Sequence, residues 1–206
     1  MPIELKHPDV LLYKNNIFII GGKIGEDMFS KQCFVYSIDD NKWYTLPDLN
    51  YAKNKKCVTV VNDKWLYAFG GKANEAGLSY KFERLELDVV YKIIKGEGKG
   101  KYKWEEVVIK NYFETIYNFV YFMYSKNILI ILGGYGLVGE DFNDKGFIID
   151  LDKRKLIHTF TTKGYMTSNY GVPYMYRGYI LSSDKSLDCV DKFNIWSQLD
   201  KIDIDL

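Results

Sequence analysis

The stretch Lys64 to Gly71 reads KWLYAFGG, a short aromatic-rich apolar run that stops at a pair of glycines. The pattern recurs as NNIFIIGG at Asn15 to Gly22 and as KNILIILGG at Lys126 to Gly134, and a form without glycines, RGYILSS, lies at Arg177 to Ser183. The doublets begin at Gly21, Gly70 and Gly133, with Ser182 in the fourth equivalent place, so the spacings are 49, 63 and 49 residues. Self-similarity at such a period marks a repeat architecture, in which each unit buries its apolar face against the next. A glycine pair closing a strand reads as a place that needs φ > 0, or where a neighbouring backbone comes too close for a Cβ.

Around the first doublet the chain reads as four strands. Val10 to Tyr13 is the inner strand, and after a turn at Lys14 to Asn16 the second strand runs to Gly21. A polar loop from Lys23 to Gln32 leads to a third strand, Cys33 to Ile38, then a turn at Asp39 to Lys42 and a closing strand, Trp43 to Leu46. Tyr36 and Trp43 flank the turn of SIDDNKW, so a hairpin there packs both rings within one sheet. Glycine pair, tyrosine, polar turn, tryptophan and Leu46-Pro47 together resemble the kelch repeat. The resemblance implies an all-β, kelch-type β-propeller of about four four-stranded blades, near residues 9–48, 55–109, 115–160 and 169–200 of one 206-residue domain.

The other units follow the same order with losses. The second has strands at Lys56 to Val61, Phe82 to Asp88 and Trp104 to Ile109, with leucine where the tyrosine would fall. Its insertion, VYKIIKGEGKGKYK at 90–103, reads as a loop between strands. Within it GEGKGK lacks the spacing of a phosphate-binding GxxxxGK[ST], so it reads as a hairpin tip. The third unit places Ile116 to Tyr124 inside, then Ile128 to Leu132, Gly146 to Leu151 and Lys155 to Phe160, without the hairpin aromatics. The fourth runs Tyr170 to Met175, Tyr179 to Leu181 and Leu187 to Val190, with a turn at Asp191 to Asn194 before Trp196 to Leu199.

Propellers of this family usually carry more blades, so by resemblance four read as an incomplete ring with exposed blade faces. Three arrangements stay open: a missing segment of a longer propeller, closure with four blades, or completion by a second chain.

Composition narrows the function. With 28 basic and 27 acidic residues the net charge is +1, which offers nucleic acid or a membrane surface no bulk attraction. Three cysteines, in predicted strands and at no metal-like spacing, read as reduced thiols. The N-terminus has no apolar signal core, so a cytoplasmic location is expected. His7 and His158 are the only histidines and belong to no ligand cluster, and no catalytic, cofactor or metal residue is assigned.

The expectation is a non-catalytic scaffold that binds a protein or peptide partner through the loops following the doublets and joining the blades. Phe29, Tyr80, Tyr135 and Phe142 are the candidate aromatic anchors, with Glu26, Lys53, Lys72 and Asp141 as charges around them. The competing reading is a carbohydrate-binding or enzymatic propeller whose central channel is lined by Tyr117, Tyr121, Asn169 and Tyr174. A third is a structural subunit that docks through its end blades.

Overall fold

The computed structural model describes residues 1–26, 28–54, 57–73, 81–97, 100–112, 116–136 and 143–162, and the backbone of strands at 174–176, 179–183 and 190–194. The chain divides into two compact units, Met1–Val108 and Ile109–Leu206.

The first unit holds two antiparallel four-stranded blades. Blade one is β1 (Asp9–Tyr13), β2 (Asn16–Ile24), β3 (Met28–Ser37) and β4 (Lys42–Leu46), hydrogen-bonded in chain order. The chain continues through β5 (Lys53–Asn54), β6 (Cys57–Val61), β7 (Trp65–Phe69), β8 (Lys72–Ala73), β9 (Phe82–Glu86), α1 (Leu87–Ile94) and β10 (Glu105–Val107). Of these, β6, β7, β9 and β10 form blade two, and β5 pairs with β8 in a separate ribbon. Strand residues point alternately to opposite faces. Phe18, Ile20, Cys33 and Val35 of blade one therefore meet Val58, Leu66, Ala68 and Leu85 of blade two in one buried cluster. Each large apolar side chain so buried contributes roughly 1.5–3 kcal/mol.

The hairpin of blade one forms as the spacing of its rings requires. Tyr36 and Trp43 are register partners, with ring centroids 5.1 Å apart at 49°. The Tyr36 hydroxyl donates to Asn41 Oδ1, and Asn41 takes the left-handed conformation, φ 52°, that turns the chain.

Two readings of this unit need correction. The segment from Lys23 to Gln32 is not a loop, because β2 continues through Ile24 and returns as β3 from Met28, its register partner. The register shift between Ile20 and Gly22 lets the ladder continue past the doublet. The insertion is not a plain loop either. Leu87, Val90, Tyr91 and Ile94 recur at i, i+3, i+4 and i+7, the stripe of an amphipathic helix, and Leu87 and Val90 are buried in the blade cluster. Gly96 (φ 72°) ends the helix, with its N–H on the Ile93 carbonyl and the Glu97 N–H on the Lys92 carbonyl. That pair of bonds is a Schellman cap, so the glycine belongs to a helix end rather than a hairpin tip.

The second unit contains β11 (Ile116–Tyr117), β12 (Val120–Met123), β13 (Ile128–Leu132), β14 (Tyr135–Gly136), β15 (Lys145–Asp150) and β16 (Lys155–Thr161). Strands β12, β13, β15 and β16 form blade three, and β11 pairs with β14. The single inner strand expected over Ile116 to Tyr124 is broken at Asn118, whose φ is 53°. Its hairpin lacks tyrosine and tryptophan, and a carboxylate does their work: Asp150 Oδ1 accepts the N–H groups of Asp152 at 3.0 Å and Lys153 at 2.8 Å. The fourth sheet is β17 (Tyr174–Tyr176), β18 (Tyr179–Ser183) and β19 (Val190–Asn194). A turn was expected at Asp191 to Asn194, but these residues continue a strand paired with β18 from Tyr179↔Asn194 to Ser183↔Val190. Ladder pairing outweighs the local turn preference of Asp and Asn. The expected closing strand at 196–199 lies outside the described residues.

All three doublets do the same thing. The glycines take positive φ, from 52° at Gly21 to 114° at Gly22. The next residue then pairs with the segment that precedes the inner strand: Lys23 with Lys6, Lys72 with Asn54, Tyr135 with Tyr117. A Cβ on Gly22 would lie 3.0 Å from the Lys6 carbonyl oxygen and from Pro8 Cα, whereas one on Gly25 (φ 68°) meets nothing within 4 Å. Gly25→Ala is therefore expected to cost about 1 kcal/mol from backbone strain alone, and Gly22→Ala about 3 kcal/mol or more because backbone must also move. Urea unfolding of the two variants measures the difference; equal losses would show that the close approach is immaterial.

Candidate functional site

The residues after the first two doublets build one end of the first unit. Strand β5 packs against β2 and β3, which sets the β5–β8 ribbon beside the extended β2–β3 hairpin. Glu26 is exposed near the hairpin tip. Phe29 is half-buried opposite its register partner Lys23, whose Nζ lies 5.4 Å from the Phe29 ring centroid and donates to the Glu26 carbonyl at 2.8 Å. Met28, which sequence reasoning passed over, is 58% exposed beside them. Lys72 is half-buried on β8. This end therefore presents a phenyl ring and a thioether among charges, on a hairpin held by ladder hydrogen bonds.

Lys53 does not join that display. Its side chain is 0% exposed, as is that of Glu83, and the two charges lie 3.5 Å apart. Lys53 Nζ also donates to the Lys81 carbonyl at 2.7 Å. Glu83 Oε2 accepts the Asn50 N–H at 2.6 Å, Asn50 Nδ2 donates to the Trp104 carbonyl, and Trp104 Nε1 donates to the Pro47 carbonyl at 2.9 Å. The interblade segment 47–54 is thus fastened to β9 and to the residue before β10. Its lysine is an internal counter-charge because Glu83 stands on the face of β9 that looks into the blade-blade packing. Burial pushes the Glu83 carboxyl up, against the pull of Lys53 and the Asn50 bond.

Above the buried pair lies a second, solvent-facing set. Tyr51 donates to Glu106 Oε2 at 2.5 Å and Lys81 Nζ pairs with Glu106 Oε1. These two bonds hold the Glu106 carboxyl below its ordinary range, and the bond to Glu106 raises the Tyr51 hydroxyl. Neither Tyr51 nor Glu106 carried a sequence signal, since the two residues are 55 positions apart.

In the second unit, Tyr135 is half-buried and stacks on Tyr117, with centroids 5.6 Å apart at 23°. Asn143 fastens the adjoining doublet, with its N–H on the Gly134 carbonyl and Nδ2 on the Gly133 carbonyl, each at 3.0 Å. Tyr117 of the competing channel reading is 8% exposed within this stack, and Tyr121 is half-buried near Phe119. Tyr80, Asp141, Phe142 and Asn169, and the side chain of Tyr174, lie outside the described residues. Among the described residues no three His, Cys, Asp or Glu side chains are placed to hold a metal ion, and no helix is long and apolar enough to cross a membrane.

Comparison with known proteins agrees with the blade geometry. Residues 7–50, which enclose blade one, match the kelch motif family model. Beta-scruin of Limulus polyphemus is 29% identical over 89 residues, covering 40% of this chain. The match spans about a tenth of that relative's length, 10%.

The buried pair makes a prediction with a definite sign. Lys53→Met leaves a buried carboxylate without its counter-charge and is expected to cost about 3–5 kcal/mol at neutral pH. The loss of Lys53 raises the folded-state pKa of Glu83 further above its unfolded value. The carboxyl then takes up a proton in the folded state first, and the deficit against wild type shrinks as the pH falls from neutral toward the ordinary carboxylate range. Urea unfolding at both ends of that range checks it, and a deficit independent of pH would show that Lys53 does not balance Glu83.

Proposed function

We propose that this chain, whose residues 7–50 carry a kelch motif, is a non-catalytic scaffold that holds a protein or peptide partner on the hairpin and ribbon ends following its glycine doublets. The observation that supports this most is the β2–β3 hairpin, which carries Phe29 and Met28 on paired strands, with Glu26 in the turn beside them. An anchor on paired strands loses little side-chain and backbone freedom when a partner binds, so more of its contact energy appears as affinity. Half-buried aromatic residues ringed by charge are also the usual composition of a binding hot spot. Phe29 and Glu26 are the proposed contacts in the first unit, with Lys72 on the neighbouring ribbon. In the second unit Tyr135 is proposed, with its ring braced by Tyr117. Tyr80, Asp141 and Phe142 are proposed on sequence grounds alone, from their place in the segments after the doublets.

Lys53 is left out of this surface because it is buried. The competing reading, a sugar or substrate site at the channel, gains nothing from Tyr117, whose ring is engaged in packing.

The partner is to be recovered by affinity purification from the native source and titrated against purified variants. Phe29→Ala and Tyr135→Ala are each expected to weaken binding about tenfold, or 1.4 kcal/mol, with an unchanged unfolding midpoint for Phe29→Ala. Wild-type affinity in both variants would remove these ends as the binding surface.

A further inference from the structure

The β2–β3 hairpin offers backbone as well as side chains. In an antiparallel ladder successive residues turn their N–H and C=O groups to opposite edges of the strand. Two observations fix which way Phe29 turns. Its register partner Lys23 commits both backbone groups to Lys6, at 2.7 and 2.8 Å, so Lys23 and Phe29 form a pair without mutual hydrogen bonds. The Lys31 carbonyl accepts the Leu49 N–H at 2.9 Å, from the chain leaving β4, and Phe29 lies two residues from Lys31 on the same strand. Both put the Phe29 N–H and C=O on the edge of β3 that faces away from β2.

Strand β4 does not reach that far. Its ladder with β3 starts at Cys33↔Leu46, Pro47 has no N–H to extend it, and past Leu49 the Asn50 N–H is already directed to Glu83 of blade two. Among the described residues neither backbone group of Phe29 has a hydrogen-bond partner. The surroundings are accessible, with Met28 58% exposed, Lys31 exposed and Phe29 half-buried. An edge with an open N–H and C=O is a template for one more strand.

Charge selects what pairs there. A residue placed opposite Phe29 shares the strand face of Phe29 and Lys31 and stands diagonal to Lys31, within reach of a long side chain. Among the described residues the Lys31 ammonium makes no ion pair. Lys23 Nζ, 5.4 Å from the Phe29 ring centroid, is bonded to a backbone carbonyl, which leaves its charge unbalanced. A carboxylate opposite Phe29 therefore meets an ammonium group on either side of the ring.

We propose that the edge of β3 at Phe29 takes up an extended peptide segment of the partner as an added strand, with an acidic residue opposite Phe29. This rests on the scaffold reading above, in which Phe29 is a contact, and adds to it the mode of binding and the chemistry of the segment bound.

Short linear peptides from a displayed library are selected on the full chain and counter-selected on Phe29→Ala, and the binders are remade with single N-methyl groups along the backbone. Strand pairing predicts a loss of about tenfold or more at the position whose N–H meets the Phe29 carbonyl, and near-unchanged affinity at its two neighbours, whose N–H groups point away. Lys31→Glu should weaken an acidic binder about tenfold and strengthen the same peptide with lysine at its acidic position. By NMR the Phe29 amide hydrogen should exchange quickly in the free chain and at least severalfold more slowly in the complex, while that of Lys23 stays slow in both. Methylation losses spread evenly along the peptide, or Phe29 exchange unchanged on binding, would overturn strand pairing and leave Phe29 as a side-chain contact only. A Phe29 amide already slow in the free chain would overturn it too, by showing that the chain covers its own edge. So would a library without a binder that distinguishes wild type from Phe29→Ala; the native partner's response to Phe29→Ala then judges the surface separately.

Discussion

The constraint on which this structure depends is the left-handed bend at each glycine doublet. Two successive residues at positive φ bend the backbone at the end of the second strand's apolar run. That turn lets the following residue pair with the segment entering the inner strand, as Lys23 does with Lys6 through two backbone bonds of 2.7 and 2.8 Å. Each blade is thereby tied to the chain that leads into it. L-residues with a Cβ reach this conformation only with strain. At Gly134 the crowding adds to it, because a Cβ would stand 2.8 Å from the Tyr117 carbonyl oxygen. Backbone freedom and close approach thus act at the same residue.

What the doublets tie locally, the seam between blades one and two holds across the first unit. Apolar burial supplies most of it, through Phe18, Ile20, Leu66 and Leu85. Helix α1 adds Leu87 and Val90 to the same cluster, so the insertion after β9 extends the core. The Lys53 and Glu83 pair contributes differently. Two desolvated charges at 3.5 Å are weak evidence of stabilisation. They do fix geometry: the carboxylate also takes the Asn50 N–H, and that bond decides where the segment between the blades lies.

Sequence periodicity was a good guide wherever the energetics are local. The doublets, the Tyr36 and Trp43 hairpin and the apolar run of each second strand all rest on near neighbours, and all could be read in advance. Reading failed where a loop was inferred from polarity alone. Lys31 is exposed and Lys23 and Gln32 half-buried at strand positions of β2 and β3, and a ladder tolerates that. Helix α1 was missed although Leu87, Val90, Tyr91 and Ile94 mark its stripe, because the glycines and lysines after it drew the reading toward a hairpin tip. Lys53 was assigned to the surface for the reason that misleads most often: a lysine in an interblade segment is usually solvated, and nothing near it in sequence announces Glu83, 30 positions away.

The polarity of blade stacking follows from side-chain size and links these observations. In blade two the receiving strand alternates Leu66 with Ala68, and the small residue leaves room for Phe18 and Ile20 of its neighbour. Blade one holds isoleucines at those places, with Phe34 beside Ile19 across the sheet, so this face is bulkier, and Leu5 and Ile3 of the chain's own N-terminal segment pack on it. A bulkier face packs a partner sheet further out, and large side chains need complementary gaps to fill. The contact made there must therefore differ in detail from the one between blades one and two, even though the alternation of strands that creates it is the same. Repetition of the backbone gives this chain its blades, while variation of side-chain volume within the repeat decides which blade can follow which.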